Sequence, residues 1–230
     1  MTIQLYDLVG SDTGRPFSPH CWKAAFALAH KGLDFKSIPT RFTEIPQVEE
    51  GVSRTVPVIR DGDSVVVDSF AIAEYLEDSY PNRPSLFGGD GGRAAARFVE
   101  RWTLTQVHPF IVSAAVVDIH DMLDPKDQIY FRANREERFG KPLEEVIAGR
   151  DAGLVGFRAS LESLRNMLKF QPFIGGKKPL FADYIVAGAF QWARIVTSYQ
   201  FLAPDDPVAE WFDRCLDLHG GLARRIPAAA

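Results

Sequence analysis

The chain has 230 residues, 46% of them hydrophobic and 24% charged, enough apolar material for a proper core in one large domain or two small ones. A net charge of -4 with scattered Lys and Arg gives no bulk attraction for nucleic acid or anionic membrane, so neither is expected as a partner. The two cysteines, Cys21 and Cys215, indicate no disulfide framework, no apolar stretch reaches membrane-spanning length, and the opening Ile3-Gln4-Leu5-Tyr6 is unlike a signal peptide, so a cytoplasmic protein is expected.

Residues 3–8 read as a short apolar strand, and 19–30 as a helix with Trp22, Ala25, Phe26 and Ala29 at three- and four-residue steps. Gly32 is its stop signal. Further strands are predicted at 33–38, 56–60 and 65–67, the last two joined by an Asp61-Gly62-Asp63 hairpin turn. Ser69 then opens a helix ending near Tyr80-Pro81. The order β-α-β, loop, β-β-α predicts a thioredoxin-like α/β domain over 1–80, with its first two strands parallel neighbours through a right-handed crossover.

Residues 81–92, with Pro81-Asn82-Arg83-Pro84 and Gly88-Gly89-Asp90-Gly91-Gly92, are rich in breakers and read as a linker. Beyond it helical periodicity dominates, at about 93–120, 143–169, 182–199 and 207–218, so 93–230 is expected to be an all-helical domain. The polar stretch 121–142, with Asp124-Pro125 and Lys141-Pro142, is expected to be a loop or short irregular helix acting as a lid or pocket wall.

Three short motifs carry chemistry. Ser18-Pro19-His20-Cys21 places a hydroxyl at a helix N-terminus, where unpaired N–H groups and the macrodipole favour an anion such as a thiolate. Thr55-Val56-Pro57-Val58 enters a strand through a Val-Pro bond whose cis form would leave the Val56 backbone free to pair with an extended peptide. Asp68-Ser69 offers a carboxylate for an ammonium and a hydroxyl for a carboxylate. Each motif also has a plain structural explanation: Ser18 and Ser69 as helix caps, Pro57 as an ordinary strand start. Ser11 and Thr13 are rival hydroxyls that spacing alone does not rank below Ser18. Cys21 reads as a small buried residue.

Ser18-Pro19-x-x-Trp22, Val56-Pro57-Val58-Ile59, Asp68-Ser69-x-x-Ile72 and Phe181-Ala182-Asp183-Tyr184 together resemble the glutathione transferases, through most of the chain. Within that superfamily they look like the bacterial glutathione-dependent β-aryl etherases and their etherase-like relatives. The resemblance implies glutathione as co-substrate, Ser18 as the catalytic hydrogen-bond donor to its sulfur, and a cis bond at Pro57. It further implies Val56 pairing with the peptide, Asp68 and Ser69 holding the γ-glutamyl end, and Arg41 or Arg54 holding the glycyl carboxylate. The partner is then a small, hydrophobic, aromatic electrophile, and the assembly a homodimer.

Trp102, His108 and Phe110, with His120, Tyr130, Phe131 and Trp192 behind them, are candidates for the acceptor pocket. His20, His30 and His219 lack metal-ligand spacing, and no metal is expected. Asp183 resembles the family's buried capping acid, yet Leu180 stands where a Ser or Thr is expected, so another group must cap that helix. Two other readings keep the fold: a detoxifying transferase acting on halides or epoxides, and a noncatalytic ligand-binding protein.

Overall fold

The computed structural model describes residues 2–230. Strand β1 (Ile3–Leu8) lies between β2 (Phe35–Thr40) and β3 (Val58–Asp61), with β4 (Ser64–Val67) outside β3. β1 and β2 are parallel, with Leu5 opposite Ser37, and the other pairs are antiparallel. Helix α1 (Pro19–His30) crosses from β1 to β2, and α2 (Ser69–Ser79) follows β4. This is the expected thioredoxin-like unit. β2 begins two residues later than predicted because the Leu33 N–H bonds back to the Leu28 carbonyl at 3.0 Å, which closes α1 through Gly32 at φ 64°. Asp61 pairs with Ser64 across a turn in which Gly62 adopts φ 58°.

A 3-10 segment, Phe42–Gly51, fills the connection between β2 and β3. No predicted element covered it.

The remainder is helical. Helix α3 (Asp90–Trp102), a π turn (Thr103–Val107) and α4 (His108–Asp121) replace the single helix expected over 93–120. Pro109 has no N–H to give the carbonyl four residues back, and the His108 N–H reaches five residues back to Thr103, which is the π spacing.

The polar stretch 121–142 is not a loop or a short irregular helix: it forms the regular helix α5 (Pro125–Phe139). Asp124 caps it by accepting from the N–H groups of Lys126 and Asp127, Pro125 takes the first helical position, and Gly140 ends it at φ 68°. Asp124-Pro125 therefore marks a helix start, not a break.

The helix expected over 143–169 is instead three: α6 (Leu143–Ile147), α7 (Arg150–Ser160) and α8 (Glu162–Leu168). Gly149, a poor helix interior residue, stands at the first break, and the Leu161 N–H makes a tighter bond three residues back to Arg158 at the second. Helices α9 (Phe181–Val196) and α10 (Pro207–Leu216) and a final turn at Leu218–Gly221 complete the chain.

Helix α9 is buried around almost its whole circumference, as an all-round apolar helix must be. It packs on α1 closely enough that a Cβ on Gly188 would lie 2.6 Å from the Pro19 carbonyl oxygen. The predicted linker is anchored rather than free: Leu86 and Phe87 are buried, and the Phe87 ring meets Phe70 and Phe181 at centroid distances of 5.7 and 5.5 Å. No helix among the described residues is long and apolar enough to cross a membrane.

Candidate active site

A cavity of about 520 Å³ opens where the start of α1, the 3-10 segment, the loop before β3, the π turn with α4, and α5 converge. Ser18, Arg54, Val56 and His108, singled out in the sequence, all line it.

Ser18 is the N-cap of α1 and is 3% exposed. Its Oγ accepts from the Cys21 N–H at 3.2 Å. That is the capping role, and it leaves the hydroxyl proton free to donate into the cavity. Ser11 and Thr13 sit in the exposed loop between β1 and α1 and do not line the cavity. Cys21 is fully buried, with its Sγ 3.8 Å from the Tyr6 carbonyl oxygen. Burial, and then the neighbouring Asp7, push its thiol well above the ordinary range, so it is no ready nucleophile.

The Val56-Pro57 bond is cis. Both residues are buried, and among the described residues no backbone hydrogen bond outside the regular elements involves Val56. Arg54 is exposed at the cavity wall and makes no ion pair among the described residues. Arg41 is placed differently. Its guanidinium pairs with Asp124 at 2.8 Å and Glu44 at 3.3 Å, and it does not line the cavity.

Asp68, at φ 73°, and not Ser69, caps α2: its Oδ1 accepts from the Phe70 and Ala71 N–H groups at 2.9 and 3.0 Å. Asp68 is exposed and Ser69 buried, and both lie at the β4–α2 junction outside the cavity's lining.

In the helical half, Trp102 and Phe110 are not cavity residues. Phe110 stacks on Phe157 at 4.6 Å and meets Phe201 edge-on at 5.9 Å. Two residues beyond His108, it faces away from the side that His108 and Val112 share at four-residue spacing. His120 pairs with Asp121 instead. Tyr130, Phe131 and Trp192 do line the cavity.

His108 lies between His20 and Trp192, with ring centroids 5.3 and 5.6 Å away. Burial, and then the nearby Lys23, lower His20 to about 3. Burial, then His20 and Lys23, also hold His108 well below its ordinary value. Both imidazoles are therefore neutral at pH 7. His30 and His219 are elsewhere, both hydrogen-bonded to the Tyr184 hydroxyl, at 2.6 and 3.0 Å.

Sequence reasoning missed Asn134, Arg135 and Arg138, which join Tyr130 and Phe131 on one face of α5. The signal was available: once Asp124 is taken as a cap, 131, 135 and 138 follow at helical spacing. Asp127, fully buried on the same helix, fixes that wall to the thioredoxin-like unit. Its oxygens accept from the Phe42 and Thr43 N–H groups at 2.6 and 2.9 Å.

Residues 13–84 match the family described as glutathione S-transferase, N-terminal domain, and residues 94–218 match glutathione S-transferase, C-terminal domain. The chain belongs to the glutathione S-transferase family. The glutathione S-transferase-like protein ustS of Aspergillus flavus is 26% identical over 209 residues, 79% of this chain and 75% of its own. The structure of glutathione transferase GSTFuA3 from Phanerochaete chrysosporium is 30% identical with a TM-score of 0.71, covering 98% of this chain and 94% of that one. A Ceriporiopsis subvermispora glutathione S-transferase solved in complex with glutathione is 25% identical with a TM-score of 0.75, over 98% and 94% of the two chains.

In this transferase the absent Ser or Thr at Leu180 is compensated locally. The Leu86 carbonyl accepts the Phe181 N–H at 2.8 Å, and Asp183 takes the Leu180 N–H at 3.0 Å. Asp183 also accepts from Ile174, Gly175 and the Trp211 indole, so its role is to fasten the helical core.

Proposed function

We propose that this transferase binds glutathione across Ser18, Val56 and Arg54 and uses its thiolate to displace a phenolate from an aromatic β-aryl ether. The observation that carries the reading is the Ser18 hydroxyl, buried at the α1 N-terminus on the cavity that Arg54 and Val56 also line.

A free thiol with a pKa near 8.5 is only a few per cent thiolate at neutral pH. Lowering it by about two units takes roughly 2.7 kcal/mol. A hydrogen bond to a charged acceptor supplies about 1.5–3 kcal/mol, and a helix N-terminus roughly 0.3–1 kcal/mol more. One hydroxyl and one helix end suffice. Ser18 donates to the sulfur and is not the nucleophile.

Val56, through its free backbone groups, pairs with the cysteinyl part of the peptide. Arg54 takes the glycyl carboxylate, and Asp68 with Ser69 takes the γ-glutamyl end. The thiolate then attacks carbon. A C–S bond forms, the C–O bond breaks, and the phenolate leaves with both electrons. The aromatic walls, Tyr130, Phe131 and Trp192, suit a ring on either side of that ether.

The test is phenol release from a fluorogenic α-keto β-aryl ether, with and without glutathione, in wild type and Ser18→Ala. Glutathione-dependent release that falls by about 10²-fold in the variant is expected, the scale for loss of one preorganised donor. Release that persists unchanged would remove Ser18 from the chemistry. Glutathione binding without release would shift the acceptor to another electrophile or leave a binding protein.

A further inference from the structure

The cavity has an unbalanced charge. Arg54, Arg135 and Arg138 line it, and among the described residues no Asp or Glu does, although acids outnumber Lys and Arg in the chain by 30 to 26. Two of the three cations, Arg135 and Arg138, lie on one face of α5. On its other side Arg132 is neutralised by Glu136 and Glu144, both at 2.9 Å. Arg135 and Arg138 have no ion pair among the described residues.

Arg135 is the more telling of the two. Its guanidinium lies over the Phe131 ring at 4.7 Å and donates from Nη1 to the Asn134 side-chain oxygen, but it has no counter-ion among the described residues and its Nε is buried without an acceptor. Burial, and then repulsion from Arg138, disfavour its charged form, yet a guanidinium does not give up its proton. An unmatched charged donor of this kind is costly unless an anion completes it. Phe42 stands against Tyr130 and Phe131, with centroids 6.1 and 5.7 Å apart, so the guanidinium pair borders an aromatic wall.

We infer that the acceptor electrophile carries a carboxylate, held by Arg135 and Arg138 while its aromatic ring lies against Phe42, Tyr130 and Phe131. This rests on the reading above for the thiol half of the cavity, where Arg54 is already committed to glutathione. Arg135 and Arg138 are thus specificity determinants, and the substrate class is aryl carboxylates rather than neutral aromatics.

The experiment compares a chloronitrobenzoate with its methyl ester at saturating glutathione, each kcat/KM divided by the uncatalysed rate with glutathione. Wild type should favour the acid by at least about tenfold, worth 1.4 kcal/mol. That preference should shrink as salt rises from about 20 to about 300 mM. In Arg135→Gln/Arg138→Gln the ratio should fall to near one. Because the readout is a ratio, a change common to both compounds cancels. Should the double variant not fold by circular dichroism, the exposed Arg138→Gln alone carries the comparison.

A ratio at or below one in wild type, or one that survives the substitutions, overturns the inference and leaves the transferase reading intact. Weakened glutathione binding with an unchanged ratio also overturns it, since the two guanidiniums would then serve glutathione itself. If neither compound turns over, the transferase reading has failed for this electrophile, and calorimetry with nitrobenzoate against nitrobenzamide decides the inference. Tighter binding of the acid supports it, and equal binding overturns it.

Discussion

Replacing Asp183 should unfold this protein more than it harms its chemistry. The carboxylate is fully buried and serves four donors. Oδ1 accepts from the Ile174 N–H at 2.7 Å and the Trp211 indole N–H at 3.1 Å. Oδ2 accepts from the Gly175 and Leu180 N–H groups at 2.9 and 3.0 Å. Asp183→Ala strands all four, at about 1–3 kcal/mol for each buried donor left unpaired. Measured single-site losses rarely exceed about 4–5 kcal/mol, so a loss near that ceiling is expected, a large part of a total of about 5–15 kcal/mol. Asp183→Asn keeps the shape and one acceptor oxygen but turns an NH₂ toward two of the donors. Roughly half the damage, about 2–4 kcal/mol, should follow. Urea unfolding followed by circular dichroism reads both, with the midpoint falling and the slope unchanged. Turnover per folded molecule in Asp183→Asn should stay close to wild type. An Asn variant within about 0.5 kcal/mol of wild type would refute the four-donor account.

Two further outcomes follow from buried groups near α1. Asp7 is 5% exposed and has one oxygen without a partner, and burial raises its carboxyl to about 7. Below pH about 4 the carboxyl is protonated in both the folded and unfolded states. Between about 4 and 7 only the unfolded chain ionises, so stability falls as pH rises, by up to about 4 kcal/mol, and is level above that. Asp7→Asn should abolish this slope, and denaturation midpoints between pH 4 and 8 that fall equally in both proteins would contradict it. Gly188→Ala should push α1 away from α9 at the Pro19 carbonyl. The overpacking costs about 1–3 kcal/mol, and displacing Ser18 should lower glutathione-dependent kcat/KM by at least about tenfold. An unchanged melting temperature together with unchanged turnover would count against that packing.

The thioredoxin-like half was legible because its signals are local. Gly32, Asp61-Gly62-Asp63 and Ser18-Pro19 each act within a few residues, and the structure uses them as turns and caps. The helical half was harder. Apolar spacing marked α9, which is buried all round, but it gave no warning of the break at Leu161, where the N–H turns to the carbonyl three residues back at Arg158. The α5 wall was misread because Asp124-Pro125 is the same dipeptide whether it ends a helix or begins one. Only the following face, Phe131, Arg135 and Arg138, distinguishes the two. Of the candidates, Ser18 and Val56 come from short motifs and line the cavity, as do Arg54, Tyr130, Phe131 and Trp192, whereas Arg41, Asp68, Ser69, Trp102 and Phe110 do not; the placement of Phe110 depends on the rotation of α4.

That rotation is set upstream, in the π turn at Thr103–Val107, which holds one more residue than an α-helical turn of the same rise. The turn takes up its extra residue within itself, so α3 and α4 keep one helical phase across it. A single-residue deletion there closes the turn to an ordinary α-helical one and leaves His108 and Val112 on the cavity side. A single-residue insertion meets no second wide turn among the described residues to absorb it and rotates α4 by about 100° relative to α3. His108 and Val112 then swing out of the cavity and the Phe110 face swings toward it, with no lining side chain altered in sequence and the Ser18 half left in place.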